Sequence, residues 1–162
     1  MKIRLFVTGG TIDKQYNELT GKLDLETTWV PDMLSQGRCR LDITVETLLL
    51  KDSLDMIDED RQLIAEKCAQ CDESRIIITH GTDTMPETAG VLGNESNDKT
   101  IVLLGAMIPY SVDNSDALFN LGFAVAAVQT LPSGVYITMN GKIFTWDNVM
   151  KNKAAGVFET KS

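Results

Sequence analysis

The sequence predicts an α/β domain of three layers, α/β/α, with a mainly parallel sheet of the flavodoxin- or Rossmann-like kind. Three observations predict it. Short runs rich in β-branched or other apolar residues recur along the chain, helical patterns separate them, and several runs are continuously apolar. A continuous apolar run suits a strand covered on both faces, as in a parallel sheet. Strands that alternate with helices make β-α-β units, and right-handed crossovers then place helices on both sides.

The strand-like runs are residues 3–7, 41–45, Arg75–Thr79, Thr100–Leu104 and Gly134–Met139. Between the second and third, Ile57, Ile64, Cys68 and Cys71 share one face of a helix that follows the acidic start Asp58-Glu59-Asp60. Pro86 suits the first turn of a helix through 87–92. Ser115 or Asp116 is placed to cap a helix through Leu118, Leu121, Phe123 and Val125, stopped before Pro132. The stretch 11–40 is long for a simple crossover, and irregular segments of that length are often lids or binding loops. With 162 residues, no linker and no internal repeat, the chain is expected to form one domain, 1–162.

Composition narrows the function. The chain is 43% hydrophobic and 23% charged, an ordinary globular balance. Its net charge of −8 argues against nucleic acid as a partner, which requires clustered Lys and Arg. No apolar run reaches the roughly 18 residues needed to span a bilayer, so no membrane partner is expected. The N-terminus reads as a first strand and not as a signal peptide, and a cytoplasmic location is the default. Cys68-Ala69-Gln70-Cys71 has C-x-x-C spacing, but it closes a helix, whereas thiol activation favours a helix start. With no second pair to complete four ligands, reduced and partly buried cysteines are expected and no metal.

In an open parallel sheet, ligands bind beyond the carboxyl ends of the strands. After the first strand comes Thr8-Gly9-Gly10-Thr11-Ile12, whose glycines allow a tight turn and close backbone approach. It is not a dinucleotide or Walker loop, and Gly-Gly alone is more often only a turn. After the third comes His80-Gly81-Thr82-Asp83-Thr84-Met85, in which Asp83 suits a substrate ammonium and Thr82 offers a hydroxyl. His80, the only histidine, has no serine elbow beside it and reads as a hydrogen-bonded structural residue. Lys51-Asp52-Ser53-Leu54-Asp55-Met56 follows the second strand, as a solvated loop or as a source of a hydroxyl and two carboxylates. Lys151 follows the fifth. A lysine desolvated in a cleft can act as a base, although a surface lysine is the commoner case.

These segments, together with Gly105-Ala106-Met107-x-Pro109, Asp116, Phe119-Asn120-Leu121, Met139-Asn140 and Val149-x-Lys151, stand in an order that resembles the bacterial-type L-asparaginases, from about residue 3 to the C-terminus. The resemblance implies hydrolysis of L-asparagine to L-aspartate and ammonia, with a small-molecule substrate and no cofactor. By the same resemblance, Thr11 is the nucleophile or principal hydroxyl of a first catalytic group. Thr82, Asp83 and Lys151 form a second, with Lys151 helping to deprotonate a hydroxyl or water through Thr82. Gly10, Asp52, Ser53 and Asp83 line the substrate site, and the backbone around Ala106 walls the side-chain amide. Long family members carry a tyrosine on a mobile loop that meets the first threonine. Here Glu18 occupies that place when Gly21-Lys22 is the anchor, Tyr16 lies two residues earlier, and another chain is the third source. The resemblance is to the N-terminal domain and to short single-domain members, and it implies a homodimer or homotetramer. Leu54 stands where a polar residue is often found, with Ile108 for a common Arg and Ala117-Leu118 for Gly-Pro. A broader glutaminase-asparaginase or amidase, and a non-catalytic aspartate- or asparagine-binding module, are the alternatives.

Overall fold

The computed structural model describes residues 1–95 and 98–161. In chain order these form β1 (Lys2–Gly9), β2 (Gln15–Asn17), β3 (Lys22–Asp24), α1 (Val30–Gln36), β4 (Asp42–Lys51), α2 (Asp58–Gln70), β5 (Arg75–Thr79), α3 (Met85–Asn94), β6 (Thr100–Leu104), α4 (Ala117–Thr130), β7 (Gly134–Met139), β8 (Lys142–Thr145), β9 (Met150–Asn152) and β10 (Val157–Glu159). Six strands make one sheet in the order β4-β1-β5-β6-β7-β8, parallel except for β8. The predicted three-layer α/β/α architecture is the one observed.

Strand periodicity builds the two apolar layers. On β5, Ile76 and Ile78 pack against Ile64, Ala65 and Cys68 of α2 and Met85, Ala89 and Leu92 of α3. Ile77 points the other way, among Val30 and Met33 of α1 and Leu121, Ala124 and Val128 of α4. All three isoleucines are fully buried. Each such side chain contributes about 1.5–3 kcal/mol by leaving water, which is why a strand in this position is apolar on both faces. The edge strand β4 is half-exposed along most of its length. Its charged Asp42, Glu46 and Lys51 suit an edge, where an apolar row would invite another chain.

Several local expectations are corrected. The second strand is Asp42–Lys51, not 41–45, because Glu46 and Thr47 and then, past a shift of register, Lys51 continue the pairing beside β1. Ile57 is 55% exposed and precedes α2, so it is no part of that helix's apolar face. It is the Asp60 carboxylate that closes the first turn, by accepting from the Ile57 N–H. At the start of α4 the hydroxyl of Ser115 accepts from the Ala117 N–H. Asp116 instead turns back to the loop after β6. The stretch 11–40 holds a β2–β3 hairpin and α1. All three cysteines are unpaired thiols, and burial pushes that of Cys68 up to about 12.

Strand order locates the site. The chain moves from β1 to β4 on one side and then crosses to β5 on the other. The loops leaving β1 and β5 therefore diverge around a crevice at the carboxyl edge, the switch point at which such sheets bind ligands. Glycine lets the loops close on each other. A Cβ on Gly10, whose φ is 84°, would lie 2.4 Å from the Gly81 nitrogen. A Cβ on Gly81 would lie 2.6 Å from the Ser53 hydroxyl. Gly10→Ala should therefore lower stability by at least about 2 kcal/mol, from strain and overpacking. Gly90→Ala, on α3 with open space at the same atom, should raise it by about 0.5–1 kcal/mol. Urea unfolding of both variants checks the contrast.

Candidate active site

Three strand-end turns meet in the crevice. The first, Thr11–Asp13, is held to the end of β4 by the Gly10 N–H, which donates to the Lys51 carbonyl at 2.9 Å. The second, Ser53–Asp55, is capped by Asp52, whose carboxylate accepts from the Leu54 N–H at 3.1 Å. The third runs from His80 to Thr84 after β5. Gly105, after β6, also presses in: a Cβ there would lie 2.4 Å from the His80 carbonyl oxygen and 3.1 Å from the Thr82 methyl. Ala106, the next residue, is fully buried in the apolar layer with Val7 and Ile12.

Lys151 reaches this cluster from β9. Its ammonium donates to the Thr82 hydroxyl at 2.7 Å and to the Asp83 carboxylate at 2.7 Å. The lysine side chain is only 8% exposed and that of Asp83 32%. A cation this far from water is stabilised by the carboxylate, and its hydrogen bonds are stronger than they would be in bulk solvent. Because the ammonium donates to Thr82, the Thr82 hydroxyl hydrogen is directed elsewhere.

A second ion pair borders the crevice. Lys14 donates to Asp52 at 2.5 Å, linking the turn that carries Thr11 to the turn that carries Ser53. Burial opposes ionisation of Asp52, but Lys14, the Leu54 N–H and the nearby charge of Lys151 together hold its pKa below the usual carboxylate range. Ser53 is 1% exposed, its hydroxyl against Gly81 and accepting from the Thr84 N–H at 3.4 Å, whereas Leu54 is 64% exposed beside it.

The structure thus brings together Gly10, Thr11, Asp52, Ser53, Thr82, Asp83, Ala106 and Lys151. Tyr16 stands apart, 66% exposed on the hairpin and paired in register with Leu23, and Glu18 is exposed on the same hairpin. Among the described residues neither is hydrogen-bonded to Thr11. His80 is fully buried, with Nδ1 2.7 Å from the Gly81 carbonyl and Nε2 2.7 Å from the Thr88 hydroxyl. A carbonyl only accepts, so Nδ1 carries the hydrogen and Nε2 accepts from Thr88. Burial, helped by the charge of Arg61, lowers its pKa to about 4, so His80 is a neutral structural residue.

The remaining sequence motifs hold loops in place. The Asp116 carboxylate accepts from the Met107 and Ile108 N–H groups and from the side-chain amides of Asn120 and Asn140. Asn120 also donates to the Gly105 carbonyl and accepts from the Asn140 N–H. Lys14, Arg61 and Thr84 were not singled out in the sequence as site residues. Arg61 and Thr84 buttress the Ser53 turn, and a charged residue inside an acidic helix start gives little sign of such burial.

No helix among the described residues is long and apolar enough to cross a membrane. Among the same residues, no group of three or more His, Cys, Asp or Glu is arranged to hold a metal ion.

These features define a class of protein: a doubly wound α/β domain with a threonine–lysine–aspartate cluster at the carboxyl edge of its sheet. The sequence model of the family described as "Asparaginase, N-terminal" matches residues 2–160, and the chain belongs to that family. It is 32% identical to "L-asparaginase 2" of Escherichia coli over 172 aligned residues, which cover 99% of this chain and 49% of that protein. It is 39% identical to a "Glutaminase-asparaginase" of Pseudomonas fluorescens over a shorter stretch, 54% of this chain and 25% of that one. The thermostable L-asparaginase of Thermococcus kodakarensis superposes with a TM-score of 0.88 at 29% identity, over 99% of this chain and 51% of that one. The chain thus spans about half the length of the full-length asparaginases it matches.

Asp13 gives the site a pH signature. It is fully buried under the Thr11 turn, and one oxygen accepts from the Thr28 hydroxyl and the Trp29 N–H, both at 2.9 Å. The other oxygen has no partner among the described residues. Burial raises its pKa to about 6, against the opposing pull of those two hydrogen bonds. A folded-state value above the unfolded one contributes stability at low pH that is lost as pH rises through about 6. Asp13→Asn, a neutral mimic, should therefore be more stable than wild type at pH 8. The advantage should shrink as pH falls through about 6, as urea unfolding at pH 8 and pH 4.5 would show. A pH-independent difference would contradict the assignment.

Proposed function

We propose that the chain is an L-asparaginase, hydrolysing L-asparagine to L-aspartate and ammonia by threonine-based nucleophilic catalysis. One observation carries the reading: Lys151 bridges Thr82 and Asp83 at 2.7 Å each, on the loop whose Gly81 packs against Gly10, the residue before Thr11. Family membership supports amidohydrolase chemistry. In the proposed reaction, the Thr11 oxygen attacks the amide carbon. The C–N bond breaks, nitrogen leaves as ammonia after taking a proton, and water then hydrolyses the resulting ester. Thr82, polarised by Lys151, activates the attacking oxygen or water, since a threonine hydroxyl alone is a poor nucleophile. Asp83 keeps the lysine in place and accepts from the substrate's ammonium group. Backbone N–H groups of the glycine-rich turns suit the developing oxyanion.

The Thr11 hydroxyl takes its own activating contact from outside the strand-end cluster: from Tyr16 or Glu18 on the hairpin, or from a second copy of the chain in a homodimer or homotetramer.

A broader glutaminase-asparaginase activity is the second reading, favoured by the exposed, apolar Leu54 at the mouth of the site and by the Pseudomonas relative's printed activity. The two substrates differ by one methylene, worth only about 1–3 kcal/mol of discrimination. Comparing kcat/KM for asparagine and glutamine decides between them.

Ammonia release from L-asparagine tests the central reading. Thr11→Ala and Lys151→Met should each lower kcat by roughly 100-fold or more, the scale of a lost nucleophile or proton-transfer group. Undiminished activity in both variants would sink the mechanism.

A further inference from the structure

Arg61 is a cation in an unusual place. It lies on α2, behind the Ser53–Asp55 turn, and is 8% exposed. Its Nη1 donates to the Met56 carbonyl at 3.2 Å, at one end of that turn. Its Nη2 donates to the Thr84 hydroxyl at 3.1 Å. The Thr84 hydroxyl then donates to the Ser53 carbonyl, the other end of the turn, at 2.8 Å. The Thr84 N–H also reaches the Ser53 hydroxyl. Among the described residues, the carboxylate within ion-pair distance of Arg61 is that of Asp58, 3.7 Å away and fully exposed. That exposed contact explains little of why a guanidinium should be buried here, since such pairs contribute almost nothing.

The fork geometry supplies the explanation. Two nitrogens of one planar group grip the two ends of a single turn, one directly and one through a hydroxyl. Thr84 belongs to the loop that carries Thr82 and Asp83, so the same group fixes the spacing between that loop and the Ser53 turn. In the chain Arg61–Thr84–Ser53, each donor polarises the next, which strengthens the whole.

We propose that Arg61 is a positioning residue for substrate binding: through Thr84 it holds the Ser53 turn at the distance from Thr82 and Asp83 that the substrate's polar groups require. The proposal rests on the asparaginase reading for the identity of the substrate. The Lys151–Thr82–Asp83 contacts do not pass through Arg61, so binding and turnover should separate when it is replaced.

The test uses Arg61→Gln, Thr84→Val and Thr84→Ser, with KM and kcat for L-asparagine and the Kd of L-aspartate by calorimetry. Arg61→Gln and Thr84→Val should each weaken substrate and aspartate binding roughly tenfold, the scale of one lost buried hydrogen bond, with kcat within about twofold. Thr84→Ser keeps the hydroxyl and should keep wild-type binding. If Arg61→Gln does not fold, the threonine pair carries the test, because it exchanges a hydroxyl for a methyl group. Binding unchanged in Thr84→Val, or weakened equally in Thr84→Ser, overturns the proposal. A wild type that binds aspartate but does not turn over asparagine contradicts the proposed reaction and leaves this inference to the calorimetry. A wild type that does neither overturns both.

Discussion

Where the loops leaving β1, β4, β5 and β6 come together, their glycines have no room for a side chain. Gly10 faces the Gly81 nitrogen, Gly81 faces Ser53, and Gly105 faces the His80 carbonyl, each at a distance that a Cβ would make impossible. The rest of the site depends on this contact. With the turns this close, hydroxyls from segments some 70 residues apart border one crevice, and Lys14 can span from the Thr11 turn to Asp52. Strand order puts the crevice at the switch point, and the glycines determine how tightly it closes.

Charge is arranged around that contact with the same economy of space. Lys151 with Asp83 and Lys14 with Asp52 alternate in sign along the crevice, so each carboxylate has a cation and neither lysine is buried alone. Removing one partner of such a pair costs more than the pair itself contributes, because a charge is left desolvated. His80 sits at the same edge and takes no part in the charge. Burial keeps it neutral down to about pH 4, and its two ring nitrogens are occupied by Gly81 and Thr88. His80 and Asp13 pull the pH dependence of stability in opposite directions. A histidine with a lowered value contributes stability above its unfolded value of 6.5 that is lost as pH falls through about 4.

Much of this was legible in the sequence, for identifiable reasons. Continuous apolar runs such as Arg75–Thr79 announced strands covered on both faces. The glycines and hydroxyls that follow them marked the strand ends at which α/β sheets bind ligands. Less legible was anything that depends on which surface a polar residue finds. Of the two cap candidates, Ser115 and Asp116, the sequence does not say which, and Asp116 places its carboxylate on the loop after β6. Arg61, directly after the acidic start Asp58-Glu59-Asp60, carries no sign in the sequence of its burial against the Ser53 turn. β4 runs past its expected end to Lys51, through a shift of register against β1 that an apolar pattern does not announce. Tyr16, which the family resemblance offers with Glu18 as the partner of Thr11, lies on a hairpin whose turn is closed by Asn17, which accepts from Leu19 and Thr20.

The proposed reaction requires the glycine-packed crevice between β1 and β5 to receive the substrate with its amide carbon between the Thr11 and Thr82 hydroxyls. A crystal structure with L-aspartate bound tests it most directly. The side-chain carboxylate should lie within hydrogen-bond distance of both hydroxyls, with the ammonium group on Asp83. Aspartate seated elsewhere, or bound in the crevice out of reach of both threonines, would contradict it.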